Sequence, residues 1–217
     1  MSKVKLIAIT AGVGILEGKS PQDIISYTAR VSNPNNQENF DTAGKLLRYC
    51  ISHGHWSPFE MANMTVEIVT SRAIAAQILR HRSFSFQEFS QRYAPATEIC
   101  HYYGRRQDTK NRQNSINDLS DEDQEWFQHT QDLLDIQSRK WYDEALKRGI
   151  AKEQARFLLP LSTKTVLYMN GSIRSWIHYL MLRTDKSTQL EHREIAEEVK
   201  QIFIGLFPDI SEALEWR

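Results

Sequence analysis

A two-residue apolar repeat gives way to a helical repeat at residues 70–71, and this change of period constrains the fold more than any other feature of the chain. Residues 64–70 alternate, with Met64, Val66 and Ile68 on one side, and residues 71–82 then carry Ile74, Ile78 and His81 at helical spacing. The spacing predicts a strand feeding directly into a helix. A second unit follows: a β-branched segment over residues 162–169, the turn signal Asn170-Gly171, and a helix over about 172–184. Residues 3–10 read as a further strand with Val4, Leu6 and Ala8 on one face; Ile7 and Ile9 on the other imply that its far end is buried on both sides.

Other helices announce themselves by their starts and stops. Ser20 reads as a cap, with Pro21 in the first helical position, where its missing amide hydrogen costs nothing, and Asp23 in the first turn. A helix over residues 42–52 stops at Gly54. Ser120, followed by Asp121, Glu122 and Asp123, opens a long amphipathic helix in which Phe127, Leu134 and Trp141 recur at seven and Trp126 and Leu133 flank them. A short helix ends at Pro160, and a last one covers about 189–206. Trp126, Trp141 and Trp176 all fit apolar helical faces. Strands and helices do not alternate as in a doubly wound fold, and no repeat or low-complexity linker divides the chain. The expectation is α+β, a single domain over residues 1–217, with a mixed β-sheet flanked by helices and the long amphipathic helix in the middle of the chain.

Composition narrows the function. No apolar run approaches the roughly 20 residues that span a bilayer, and residues 1–13 lack a leader pattern, so a cytoplasmic protein with no membrane association is expected. The formal net charge is zero, which argues against a protein that coats nucleic acid. Charge is unevenly placed, however: residues 72–112 hold eight Lys/Arg against three Asp/Glu, and residues 113–144 hold two against nine. A local cluster of guanidiniums without a basic surface suits small anions. Cys50 and Cys100 form no CxxC pair, and His53 and His55 have no carboxylate or cysteine cluster to complete a shell, so no metal is expected. His53 reads better as a helix-end cap.

The densest chemical signal is the stretch RHRSFSFQEFSQRY, which begins at Arg80-His81-Arg82 and carries Glu88, Phe89, Ser90, Gln91 and Arg92. On a helix, Gln77, Arg80 and His81 share a side, and Arg82 points elsewhere. Such a group could grip a phosphate or pyrophosphate; by composition alone a solvated helix end with a serine-rich turn is the commoner arrangement. The pattern RHR, seven residues, then Ser90 and Arg92, resembles the signature of flavin-dependent thymidylate synthases. His55 to Glu60 (HWSPFE), Arg156 to Pro160, and Ser172-Ile173-Arg174 with His178 and Leu182-Arg183 are similar to further segments of that family, in the same order.

The resemblance implies an enzyme that methylates dUMP to dTMP with methylenetetrahydrofolate as carbon donor, NAD(P)H as reductant and FAD as cofactor, in a homotetramer. It implies FAD contacts from Ser57, Arg80, His81, Arg82, Glu88, Ser172, Ile173, Arg174 and His178. It implies dUMP contacts from Gln77, Ile78, Leu79, Arg80, Glu88, Phe89, Ser90, Gln91, Arg92, Arg156 and Arg183, with Arg183 acting on the pyrimidine ring. Gln91 stands where many members carry glycine, and His178 where asparagine also occurs.

The residues themselves say the following. Neither Cys50 nor Cys100 sits at an activating helix start, so a thiolate attacking carbon 6 of uracil is not expected. A cysteine-free route needs a cation to withdraw electrons from the ring, and Arg183, which cannot readily surrender a proton, would act electrostatically and not as a base. Ser90 has no evident base to activate it and reads as a binding residue. Arg174 and His178 share a helix face, whereas Arg183 comes round about 180° away at roughly 100° per residue. Contacts on opposite faces of one helix favour sites shared between subunits of a homo-oligomer. No GxGxxG or GxxxxGK[ST] loop is present. Arg105, Arg106 and Arg112 lie in a loop that either attracts NADPH or is merely solvated. Two other readings remain open: a non-catalytic nucleotide or RNA-binding module using the basic block, and a flavin-linked nucleotide reductase without methyl transfer.

Overall fold

The computed structural model describes residues 3–95 and 98–216. A four-stranded sheet in the order β1-β2-β6-β3 (Val4–Ile9, Asn63–Ser71, Lys164–Ser172, Ser85–Glu88) carries the core. Every pairing in it is antiparallel, where a mixed sheet was expected. The reason lies in the order of elements: no helix-bearing crossover connects β2 to a parallel neighbour, and β6 returns after the long central helix to pair with β2 over nine residues, from Asn63 opposite Ser172 to Ser71 opposite Lys164. The expected α+β class and flanking helices are present.

One face of the sheet is buried and the other is polar. Met64, Val66 and Ile68 from β2, with Leu167 and Met169 from β6, are fully buried beneath the helices. On the outer face Thr65 donates to Asn170 at 2.9 Å, Tyr168 donates to Glu67 at 2.8 Å, and Lys5 lies 3.3 Å from Glu67. This one-sided burial is what the alternation in residues 64–70 encodes. β1 departs from expectation. It is an edge strand with a register shift between Leu6 and Ala8, and Leu6 and Ile7 remain exposed at 38% and 50% instead of having both sides buried. The shift lets the edge twist away from the core.

Each long inner strand hands the chain to a helix, β2 to α3 (Arg72–Ile78) and β6 to α6 (Ile173–Arg183). Because the strands are antiparallel, these helices leave from opposite ends of the pair. Asn170-Gly171 is not the turn its composition suggested; both residues stay in β6. Gly171 faces the Phe84 ring so closely that a Cβ there would sit 2.5 Å from Phe84 Cδ1, so the glycine serves close packing and not a turn. The change of direction falls to Ser172, whose hydroxyl caps α6 by accepting from the Ser175 amide.

The remaining helices are α1 (Pro21–Ala29), α2 (Ala43–Ser52), α4 (Asp121–Lys147), α5 (Lys152–Ala155), α7 (Leu190–Leu206) and α8 (Pro208–Ala213), and β4 (Arg106–Gln107) pairs with β5 (Ser115–Ile116) in a small hairpin. Ser20 and Asp23 form the reciprocal cap the sequence announces, and α2 ends at Ser52 with His53 as its C-cap and Gly54 at φ +67. Trp176 is buried, with Nε1 donating to the Met64 carbonyl at 2.9 Å. Trp126 and Trp141 are instead 65% and 53% exposed, along with Leu133, Leu134 and Ile136. α4 turns Asp135, Ser138, Tyr142 and Ala145 inward, which leaves its richer apolar stripe outside the protomer.

Candidate active site

α3 is shorter than its repeat implied. It ends at Ile78, and Arg80 N–H to Gln77 and His81 N–H to Ile78 close a tight turn instead of a further helical turn. The turn is needed because Phe84 must enter the core against Gly171 before β3 pairs with β6. Arg80, His81 and Arg82 therefore project from a turn and do not share a helix face with Gln77. Arg80 and Arg82 are exposed, and His81 is half-buried.

His81 and Arg183, 102 residues apart, meet at the end of α6: Arg183 Nε donates to His81 Nε2 at 2.9 Å. Burial, with the Arg183 and Arg80 charges beside it, pushes His81 down to about 4, so the ring is neutral and free to accept. Among the described residues no carboxylate pairs with Arg183. Its charge is held by a neutral acceptor at Nε, which leaves both terminal amino groups of the guanidinium uncommitted to His81.

The opposite side of α6 meets other partners. Arg174 donates to Glu60 at 2.6 Å, His178 lies 5.3 Å from the Trp56 ring, and the Ser175 hydroxyl donates to the Ser83 carbonyl beside Arg82. Ser57 opens a short 3₁₀ helix, Ser57–Glu60, next to them. The turn that opens at Ser57 and the turn that carries Arg82 thus each contact α6, which bears Arg174 and His178 and is capped by Ser172. Ile173 and Ile78, both expected to touch ligand, are fully buried, so their side chains pack the core and only their backbones remain for contacts.

Glu88 on β3 is fixed from two sides, by Arg72 at 2.8 Å and by the Thr165 hydroxyl at 2.9 Å. Arg92 and Arg156 converge on Glu153: Arg92 Nε lies 3.3 Å from its carboxylate, and Arg156 Nε donates to its carbonyl at 3.2 Å. Leu79 and Phe89 are exposed, Ser90 is half-buried, and Gln91 is buried at 6% exposure. No direct contact joins the Arg92–Arg156 group to the His81–Arg183 group within the described residues of one protomer.

Sequence reasoning missed His192, Tyr179, Gln189 and Glu191, which stand behind Gln77, and Arg72 and Thr165, which hold Glu88. The one available signal was Gln189, Glu191 and His192 crowded into the first turn of an otherwise amphipathic helix. In the basic loop Arg105 is half-buried against Glu191 at 2.6 Å, while Arg106, paired with Asp118 at 2.5 Å, and Arg112 stay exposed to solvent. Both thiols are free, and burial raises each above its ordinary value. Among the described residues no group of three or more His, Cys, Asp or Glu side chains is arranged to hold a metal, and no helix is long and apolar enough to cross a membrane.

Residues 15–209 match the family model described as thymidylate synthase complementing protein. A flavin-dependent thymidylate synthase from Synechocystis is 55% identical over 215 residues, 98% of this chain and 99% of that one. A probable flavin-dependent thymidylate synthase from Paramecium bursaria Chlorella virus 1 is 55% identical over 214 residues, 98% of each. Among solved structures, the UMP/dUMP methylase PolB from Streptomyces cacaoi bound with 5-Br dUMP superimposes with a TM-score of 0.80 at 27% identity, over 98% of this chain and 93% of that one. These likenesses, over nearly the whole chain, place it in the flavin-dependent thymidylate synthase family.

Proposed function

We propose that this protein converts dUMP to dTMP, with methylenetetrahydrofolate giving the carbon, NAD(P)H the reducing equivalents and FAD as cofactor. The observation that carries the reading is Arg183, a half-buried guanidinium held by a neutral imidazole and, among the described residues, paired with no carboxylate. A charge so placed lacks a counter-ion of its own and favours a ligand on which negative charge develops.

The donor set fits FAD. Arg80, Arg82 and Arg174 with the hydroxyls of Ser57 and Ser172 offer cationic and neutral donors to a diphosphate, and Trp56 with His178 offers aromatic surface. When bound, the flavin supplies the electrons of the reductive transfer. The residues of this chain do the rest by placement. Arg183 presents its two terminal amino groups as a fork toward the carbonyls and ring nitrogen of the pyrimidine and stabilises the electron-rich ring, with no thiolate attached to carbon 6. His81 keeps Arg183 in that orientation only while neutral. Arg92 and Arg156, brought together at Glu153, are positioned to neutralise a phosphate.

A homotetramer with shared sites is part of this reading. No direct contact joins the Arg92–Arg156 group to the Arg183 group among the described residues, α6 carries polar contacts on opposite faces, and Trp126, Leu133, Ile136 and Trp141 are all exposed along α4, apolar surface that a second protomer could cover. Two unpaired thiols fit a reducing cytoplasm. The RNA-binding alternative is weakened because Arg105 and Arg106 are already committed to Glu191 and Asp118. Anaerobic incubation of the purified protein with dUMP, methylenetetrahydrofolate, NADPH and FAD tests the reading. Formation of dTMP by mass supports it; a colourless preparation whose 260 nm absorbance washes off with salt refutes it.

A further inference from the structure

Behind Gln77 a line of polar side chains runs through the protein. The Tyr179 hydroxyl lies 3.1 Å from His192 Nε2, and His192 Nδ1 lies 3.4 Å from Gln77 Oε1. Gln77 Nε2 donates to Gln189 Oε1 at 2.6 Å, Gln189 Nε2 donates to Glu191 Oε2 at 2.9 Å, and Arg105 donates to Glu191 Oε1 at 2.6 Å. Tyr179, His192 and Glu191 are exposed by 1%, 0% and 9%.

The direction of every bond in this line follows from its one carboxylate. Burial alone would raise Glu191, but hydrogen bonds from its own amide, Gln189 and Arg105, with the Arg105 charge, hold it below the usual range, so it is ionised and can only accept. Gln189 must therefore turn its amino group to Glu191 and its carbonyl to Gln77. Gln77 must in turn give its amino group to Gln189 and its carbonyl to His192. His192 must then carry its hydrogen on Nδ1 and accept from Tyr179 on Nε2. A neutral ring is required, and burial, with the Arg183 charge near it, pushes His192 down to about 3.

We propose that this relay, anchored on Glu191 and completed by His192, fixes the orientation of the Gln77 carboxamide so that it offers an N–H to an acceptor oxygen of the nucleotide. The inference rests on the reading above, in which Gln77 touches dUMP. Without the relay the amide can turn over and present either end. With it, one amino hydrogen is engaged by Gln189, the carbonyl is engaged by His192, and the second amino hydrogen is the group with a fixed place. The oxygen it meets is either a ring carbonyl or a phosphate oxygen. His192 and Glu191 are positioning residues, acting on substrate only through Gln77.

The test is calorimetric titration of dUMP and of deoxyuridine into FAD-loaded wild type, Glu191→Gln, His192→Leu and His192→Asn, with steady-state kinetics, bound FAD and melting temperature measured alongside. In Glu191→Gln the anchor can donate as well as accept, so the polarity is no longer imposed. This variant and His192→Leu should bind dUMP about 5-fold more weakly, the size of one lost neutral hydrogen bond, with kcat within about 2-fold and FAD content unchanged. His192→Asn, whose amide hydrogen replaces that on Nδ1, should recover most of the affinity. A defect that persists with deoxyuridine places the oxygen on the ring, and one confined to dUMP places it on the phosphate. Wild-type affinity in both weakened variants, or losses that track FAD content and melting temperature, overturn the inference alone. A wild type that does not bind dUMP overturns the substrate reading and this inference together.

Discussion

Lowering the pH to about 5 should destabilise the fold by about 2 kcal/mol through His192 alone. The ring is wholly buried, bonds only to the uncharged Tyr179 and Gln77, and feels the Arg183 charge. Its pKa falls from 6.5 to about 3. The folded value lies below the unfolded one, so between the two it is the unfolded chain that takes up the proton. Stability due to the neutral ring is complete above 6.5 and is lost as the pH falls below it. At about pH 5 the native ring is still neutral, and one and a half pH units at about 1.4 kcal/mol each give about 2 kcal/mol. His81, half-buried and lowered to about 4, acts with the same sign. The assay is urea unfolding at fixed protomer concentration, at about pH 7.5 and about pH 5, for wild type and His192→Asn. With a slope of about 2–3 kcal/mol per molar urea, the wild-type midpoint should fall by about 0.8 M more than that of the variant. Equal falls in the two proteins would show that His192 titrates as if in water, and the reasoning from its burial would be wrong.

Arg183→Ala should keep FAD and lose dTMP formation by about 100-fold or more, read as turnover against bound flavin, because the charge acts where negative charge develops. Gly171→Ala should cost about 2 kcal/mol in thermal or urea unfolding, since the new methyl falls 2.5 Å from Phe84 Cδ1; a neutral effect would mean that the ring moves aside freely. Arg72→Ala leaves Glu88 held by Thr165 alone. It should destabilise the fold by about 1–2 kcal/mol and raise KM for dUMP, checked by unfolding and initial rates.

What the sequence made legible was whatever depends on local period and chemistry. The alternation at Met64, Val66 and Ile68 marks the buried sheet face, Ser20 and Ser120 cap their helices, and the run from Asp121 is one helix of 27 residues. Readings failed where a distant residue decides. Gly171 looked like part of a turn because the Phe84 ring that requires it lies 87 positions away, and α3 looked longer because the entry of Phe84 into the core stops it at Ile78. Trp126 and Trp141 fit an apolar helical stripe yet are exposed, because nothing local says whether such a stripe meets its own core. Of the candidate site, Arg183, His81, Arg174 and Ser57 were singled out through a motif and a resemblance. The supports behind them, His192 and Glu191 above all, belong to no motif, and their direction of hydrogen bonding emerges only when six separate positions are seen in contact.

The central claim is that methyl transfer proceeds through Arg183 with no cysteine nucleophile. Its most direct test is mass-detected dTMP formation by a Cys50→Ala/Cys100→Ala double variant set beside wild type and Arg183→Ala, all loaded with FAD. Both thiols are raised above their ordinary values by burial, so the double variant should make dTMP at a rate within a few-fold of wild type, while Arg183→Ala makes almost none. A double variant that binds FAD and dUMP but forms no dTMP, or an Arg183→Ala protein that works as well as wild type, would contradict the account.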